Sequence, residues 1–203
     1  MSCKSLLGAL AVLAAVTGGA RAEDGAARAE DGAAAYAKRM FAGQPAAKGT
    51  SYACFARRYD AAHLAEHPQQ KVNYMRLLVS AKPVAEDPAL NYGFSLGVRF
   101  RGQAEDFSNG GECGHPTAMQ ESPDKLALGC GIDCDGGGIS VEIVDGGKSV
   151  LVRTDRIALW GSKDSVDVGG GDDRVFRLDR VKLDECKPLM HDDDDEDEKP
   201  ATM

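Results

Sequence analysis

Residues 126–144, which read LALGCGIDCDGGGISVEIV, constrain the fold more than any other stretch of the chain. Every even position up to Cys134 is apolar, and after the glycine run the odd positions carry Ile, Val and Ile. Apolar residues at every second position are typical of a β-strand with one buried face. Glycine accepts positive φ without steric cost, so residues 135–138 predict the reversal between two strands. The stretch therefore predicts a β-hairpin that carries Cys130 and Cys134 on its buried face.

The same alternation recurs along the chain and predicts about eight strands in one antiparallel domain. The predicted strands are residues 51–57, 72–82 and 91–101, a short strand near Cys113, the two arms of the hairpin, 150–160 and 174–183. Asp60 is placed to cap one short helix, which ends at His67 because Pro68 follows it. The number and spacing of the strands are typical of a barrel or a sandwich. We predict an all-β, single-domain, disulfide-linked fold.

The first 22 residues have the pattern of a signal peptide. Lys4 precedes an apolar run from residue 6 to residue 16, and Ala20-Arg21-Ala22 is a cleavage motif. The apolar run is too short to be a transmembrane helix. We therefore expect an exported protein, periplasmic or secreted, that does not span the membrane once the signal peptide is removed.

Composition divides the remaining chain into three parts. Residues 23–48 are rich in alanine and are expected to form a disordered leader or linker, and residues 49–189 are the predicted β domain. Residues 190–203 include seven acidic residues of a chain whose net charge is −8, and such a block is expected to be disordered. The sequence shows no basic patch, so a nucleic acid is not an expected partner.

Five cysteines remain after removal of the signal peptide, and an exported protein can join four of them in disulfides. Cys130 and Cys134 lie about 13 Å apart on an extended strand, too far for a bond. Cys113 and Cys130 flank a loop, and we favour a bond between them. Cys54 and Cys186 would meet if the first and last strands pair to close a barrel. A bond from Cys134 to Cys54 or Cys186 is the alternative; otherwise Cys134 is a free thiol.

His63-Leu-Ala-Glu66-His67 matches a zinc-peptidase motif, in which two histidines one helical turn apart bind the metal and the glutamate activates water. Pro68 follows at once, the helix is barely two turns long, and nothing nominates a third ligand. We expect a short capped helix. The alternative is a metal site made of His63, Glu66 and His67, and its divalent cation would be the protein's only cofactor.

Gly93-Phe-Ser95-Leu-Gly97 matches the G-x-S-x-G motif of serine hydrolases. In those enzymes the serine occupies a sharp turn between a strand and a helix above a parallel sheet. Here the alternation continues through Ser95 to Phe100, so the serine is predicted to face outward in the middle of a strand. We expect that Ser95 is not a nucleophile.

Three short motifs and a final cysteine carry a family resemblance. They are Cys54-x-x-Arg57-x-Tyr59 followed by His63-Leu64-x-x-His67-Pro68-x-Gln70, then Cys130-Gly-x-x-Cys134-Asp-Gly-Gly, then Asp172-Asp-Arg-Val-Phe-Arg-Leu178, and lastly Cys186. The combination resembles a family of uncharacterised exported proteins from alphaproteobacteria over about residues 52–186. The resemblance implies export and the limits of the domain, and it implies no activity.

These observations favour a binding role over catalysis. An eight-stranded barrel can hold one small ligand, and the expected partner is such a ligand or another envelope protein. The first alternative is an inhibitor of a cationic cell-wall hydrolase, since an acidic surface steers a basic partner. The second alternative is a metal-dependent hydrolase built on the histidine motif.

Overall fold

The computed structural model describes residues 32–43, 48–84, 89–115 and 126–190. The predicted signal peptide and residues 191–203 of the predicted acidic tail lie outside this part of the chain. No helix among the described residues is long and apolar enough to cross a membrane.

The described residues form ten β-strands and two short α-helices. The strands are β1 (Ser51–Arg58), β2 (Val72–Pro83), β3 (Leu90–Phe100), β4 (Asp106–Gly114), β5 (Ala127–Gly131), β6 (Gly138–Val144), β7 (Ser149–Arg153), β8 (Ile157–Trp160), β9 (Ser165–Val168) and β10 (Val175–Arg180). The helices are α1 (residues 32–40) and α2 (Ala61–Glu66), and 3-10 turns cover Asp145–Gly147 and Leu183–Leu189. The predicted all-β class is confirmed.

Eight of the strands close into an antiparallel barrel. Each strand from β1 to β6 pairs with the next one, and β10 pairs with both β7 and β1. The first and last barrel strands are therefore neighbours, as the expectation for Cys54 and Cys186 required. The remaining pair, β8 and β9, forms a hairpin outside the barrel, joined to β4 through Ser108 and Trp160. The structure is a barrel and not a sandwich.

The barrel interior is the hydrophobic core. Alternation sends every second side chain of each barrel strand inward. The inward residues that are at most 1% exposed include Phe55, Leu77, Leu96, Leu128, Val141, Val150, Val152, Phe176 and Leu178. Each such burial stabilises the fold by about 1.5–3 kcal/mol relative to exposure. An eight-stranded barrel is just wide enough for side chains to fill it, and these side chains pack together in one cluster.

The C-terminal 3-10 turn packs against the outside of the barrel over β1, β2 and β3. Cys186 is bonded to Cys54 on β1, and the two pack with Leu78 and Leu189 in a second, smaller apolar cluster. Leu189 contacts β3 so closely that a side chain at Gly97 would lie 2.9 Å from it. The turn is thus a fixed part of the domain.

Helix α1 covers one end of the barrel and corrects the prediction of a disordered segment there. Residues 32–40 fall in the stretch expected to be a linker, yet Tyr36 and Met40 are completely buried in the main core. Residues four apart lie on the same helix face, so the two side chains enter the core together. The alanines between them favour a helix, and the burial of this face decides the structure.

Two further predictions about strands are corrected. Residues 150–160 were expected to be one strand, but β7 ends at Arg153 and β8 begins at Ile157, and β9 was not predicted. The strand expected to reach Cys134 ends at Gly131, so Cys134 lies in the turn, exposed, with a φ of 55°. Just after that turn, the backbone of Arg156 passes so close to Gly137 that only glycine fits there. A Cβ at Gly137 would lie 2.1 Å from the Arg156 carbonyl oxygen.

Candidate functional site

The cysteines adopt the pairing that the sequence favoured. Cys54 is bonded to Cys186 with a Cα–Cα distance of 5.9 Å, and Cys113 is bonded to Cys130 with a distance of 4.0 Å. Cys113 and Cys130 are directly opposite each other on β4 and β5, and Cys130 is buried in the core. Cys134 is free. Two disulfides are typical of proteins in oxidising compartments.

Ser95 is in the middle of β3, as predicted. It is paired with Leu78 on one side and Gly110 on the other, and no turn interrupts the strand there. The sharp turn that exposes the serine of a G-x-S-x-G hydrolase is therefore not formed at Ser95.

The two histidines of the candidate metal site are stacked on each other. Asp60 caps α2 by accepting a hydrogen bond from the backbone nitrogen of His63 at 2.8 Å, as predicted. The His63 ring lies 4.4 Å from the His67 ring and 4.8 Å from the Tyr59 ring, and the planes are tilted by 30° and 35°. The rings thus form a small aromatic stack at the edge of the barrel.

A hydrogen bond also occupies one nitrogen of His63. The Gln70 amide donates through Nε2 to the Val72 carbonyl at 2.7 Å, so its Oε1 faces His63 Nε2 at 3.0 Å as an acceptor. His63 Nε2 therefore donates and carries the proton, which leaves it no lone pair for a metal. Within the described ranges no group of three His, Cys, Asp or Glu residues has the geometry to hold a metal ion. Glu66 is exposed on the helix surface.

A cavity of about 770 Å³ lies between α1 and the turn that joins β6 to β7. Its charged lining residues are all basic: Lys38, Arg39, Lys148 and Arg180. The rest of its lining is small, namely Ala35, Ala42, Gly43, Gly146 and Gly147. We refer to this cavity as the basic pocket. Four positive charges in one cavity contrast with the net charge of −8 of the whole chain.

Arg180 is the most constrained residue of the basic pocket. Its Nε donates to the Gly147 carbonyl at 2.8 Å, and its Nη2 donates to the Arg39 and Met40 carbonyls at 3.1 and 2.8 Å. The guanidinium carbon lies 4.6 Å from the centre of the Phe55 ring. These contacts fix the side chain and satisfy carbonyls at the C-terminus of α1, where the helix dipole favours a cation.

The charge of Arg180 is partly buried and has no carboxylate partner among the described residues. Burial lowers the pKa of Arg180, because removing the guanidinium from water disfavours its charged form. An Arg remains protonated under ordinary conditions, so the site retains a desolvated positive charge. A bound anion would offset the free-energy cost of removing this charge from water.

An uncharged aromatic cluster packs around Tyr36, on the side of α1 that faces the core. The Tyr36 ring lies 5.8 Å from Tyr92 and 5.3 Å from His115, in both cases edge to face. Burial raises the pKa of Tyr36, raises that of Tyr92 to about 12, and lowers that of His115. All three groups are therefore neutral near pH 7, so this cluster places no negative charge next to the basic residues of the pocket.

The basic pocket was missed by the sequence reading because its residues are scattered. Lys38 and Arg39 fall in the predicted linker, whereas Lys148 lies between β6 and β7 and Arg180 is the last residue of β10. Only the closure of the barrel between β10 and β1, with α1 packed on that end, brings them together. The one local signal was the paired Lys38-Arg39 beside Tyr36 and Met40, which marks a helix with one basic and one apolar face.

The fold and its disulfides define a closed, disulfide-linked, eight-stranded antiparallel barrel with an added hairpin. A comparison of the chain with protein-family models gives no match, and comparisons with curated proteins and with solved structures give no significant match.

Proposed function

We propose that this protein is an exported binding module, periplasmic or secreted, that captures a small anionic ligand in the basic pocket. The observation that carries the proposal is the partly buried charge of Arg180, which lacks a carboxylate partner among the described residues and faces a cavity with three more basic residues. A protein of net charge −8 gains nothing in solubility from such a cluster, whereas a bound anion stabilises it.

The donors that remain in the basic pocket suit carboxylate or phosphate groups. Arg180 uses Nε and Nη2 for carbonyls, and its Nη1 makes no hydrogen bond to the described residues. Lys38 and Lys148 add two ammonium groups, each with three donors. Charge-assisted hydrogen bonds of this kind are stronger than neutral ones. The volume of about 770 Å³ lies within the range of small-molecule sites, so the ligand class is a small molecule with two or more negative charges.

Other observations bear on the compartment of the protein and on the alternative functions. Two disulfides support export, in agreement with the signal-peptide pattern, which lies outside the described residues. The metal-dependent hydrolase gains no support, because His63 Nε2 is engaged by Gln70. The packed core supports a ligand site on the outside of the barrel in place of the expected site inside it.

The test is a calorimetric titration of the purified protein with inorganic pyrophosphate. We expect binding that weakens about tenfold in the double variant Lys38→Gln/Lys148→Gln, because two charge contacts of about 0.7 kcal/mol each add to about 1.4 kcal/mol. The matched control is Lys71→Gln/Lys163→Gln, which removes two lysines elsewhere and should bind like the wild type. Equal affinities in the two double variants, or no binding by the wild type at millimolar pyrophosphate, would contradict the proposal.

A further inference from the structure

The β8–β9 hairpin exposes an indole on the side of the barrel away from the basic pocket. One face of the hairpin packs into the core through Ile157, Leu159 and Val168, which are at most 1% exposed. The alternation of a strand then places Trp160 on the opposite face, where 60% of it is exposed. Trp160 is the only tryptophan of the chain and is more exposed than any other large apolar side chain of the described residues.

The surroundings of Trp160 are rigid. Trp160 pairs with Ser165, and Ala158 pairs with Asp167, so these side chains share the outer face of the hairpin. The Ala158 nitrogen donates to the Gly136 carbonyl at 2.9 Å, which holds the turn between β5 and β6 beside it. On the other side Asn109 donates to the Ala158 carbonyl at 3.0 Å. The indole is therefore presented on a hairpin that is hydrogen-bonded to the β5–β6 turn on one side and to β4 on the other.

The residues around the indole are mainly acidic. Asp133, Asp135 and Asp167 line the same cavity of about 370 Å³ as Trp160, together with Arg156. Three carboxylates and one guanidinium give this face a net charge of −2. Arg156 is held by Asp167 at 3.0 Å and by the Asp135 carbonyl at 2.6 Å, while the Asp133 and Asp135 carboxylates form no ion pair with the described residues. We call these residues the Trp160 face.

A second cavity lies beside the Trp160 face, on the outside of β3 and β4. Asn109 lines both cavities, and Ser108, which pairs with Trp160, lines the second one. The floor of this second cavity is made of small residues: Gly93, Ser95, Ser108, Gly110 and Gly111. Small side chains allow a backbone to approach closely, and the far side is bounded by Pro188 and Leu189. The two cavities together form a shallow trough that suits an extended polypeptide.

We propose that the Trp160 face and this trough bind a lysine- or arginine-bearing segment of another protein. A single exposed apolar side chain is common, but here the indole is surrounded by carboxylates on a fixed frame. Trp gives the strongest cation–π contact of the aromatic side chains, and the carboxylates of Asp133 and Asp135 supply hydrogen-bond acceptors to the same cation. Tryptophan is also enriched among the residues that dominate protein interfaces. The net charge of −8 steers a basic partner toward the protein.

The experiment uses hexalysine and the fluorescence of Trp160, which reports on this site alone because the chain has no other tryptophan. We expect hexalysine to change the emission of the full-length protein, with an affinity that falls as salt rises. The variant Asp133→Asn/Asp135→Asn should weaken binding at least fivefold. The matched control Asp192→Asn/Asp193→Asn removes the same charge from the C-terminal acidic block and should leave the affinity of the Trp160 signal within twofold.

Three results would overturn the proposal. Hexalysine could leave the emission unchanged at low salt, or the two double variants could lose affinity equally, which would assign the effect to overall charge. A response to hexaserine or to an oligomer of N-acetylglucosamine that equals or exceeds the response to hexalysine would assign the indole to a different class of partner. Phosphate at saturating concentration should not alter the hexalysine affinity more than its ionic strength does, since the basic pocket lies elsewhere.

Discussion

The basic pocket and the Trp160 face are built at opposite ends of strand β6. β6 begins beside the turn that carries Asp133 and Asp135 and ends at the turn that carries Gly146 and Gly147. The residues that line the basic pocket include four basic and no acidic side chains, whereas the Trp160 face has three acidic residues and one basic residue. The barrel between them is a filled core that separates two sites of opposite charge.

Because side chains fill the interior of the barrel, both candidate sites lie on its outside. In the basic pocket the charge of Arg180 is partly buried and fixed by three carbonyls, so its geometry is set before any ligand arrives. In the Trp160 face the apolar group is exposed, and two of its three carboxylates, those of Asp133 and Asp135, form no ion pair with the described residues, which suits a contact that forms and breaks. We therefore expect the basic pocket to discriminate by ligand shape and the Trp160 face by charge.

The largest effect should come from the disulfides, which close loops of very different length. Cys54 and Cys186 are 132 residues apart, and removing their bond should lower the free energy of unfolding by about 5 kcal/mol through loop-closure entropy. Cys113 and Cys130 are 17 residues apart, and removing their bond should lower it by about 3 kcal/mol. Urea denaturation of the two double Cys→Ser variants measures both values. A larger loss from the shorter loop would show that strain or residual structure in the unfolded chain outweighs loop length.

The next effect concerns Tyr36, which joins α1 to the core. Tyr36→Ala should cost about 3–5 kcal/mol and weaken pyrophosphate binding, because α1 loses its anchor. Tyr36→Phe should instead stabilise the fold by up to about 1 kcal/mol, since the buried hydroxyl has no hydrogen-bond partner among the described residues. Thermal unfolding separates the two outcomes. Hexalysine binding at the Trp160 face should be unchanged in Tyr36→Phe, and a loss there would show that the two ends are coupled.

A smaller effect should appear in the pH dependence of stability. Burial lowers the pKa of His115 from its ordinary value of 6.5 in the folded state. Below about pH 6.5 the unfolded chain takes up a proton that the folded chain does not, so stability is present above that pH and is lost as the pH falls toward the lowered pKa. Denaturation of the wild type at pH 7.5 and pH 5.0 should show this loss, and His115→Phe should reduce it. An identical pH dependence in the variant would contradict the assignment.

The fold was largely predictable because the strands alternate so regularly. The run from Asn91 to Arg101 is predicted to place every second side chain in the core, and in β3 the side chains Tyr92, Phe94, Leu96, Val98 and Phe100 are all buried. The cysteine pairing followed from a barrel in which the first and last strands meet. By contrast, Cys134 was placed on a strand because apolar alternation continues to it, although the chain turns three residues earlier.

The candidate sites were predictable only in part, since charge clusters depend on tertiary contacts. Arg180 reads as an ordinary exposed residue at the end of a strand, and its burial arises because α1 packs over it. Trp160 was expected at the end of a long strand, and its exposure follows from the break between β7 and β8. The histidine motif was found from sequence, but the hydrogen bond from His63 to Gln70 needed the structure.

The most direct test of the account is nuclear magnetic resonance of the isotope-labelled protein during a titration with pyrophosphate. The account predicts that backbone amide shifts change at Lys38 and Arg39, at the turn through Lys148, and at Arg180. It also predicts that the signals of residues 133–136 and 157–167 stay in place. Perturbation of the Trp160 face, or an unchanged spectrum at millimolar pyrophosphate, would contradict the claim that the basic pocket is the anion site.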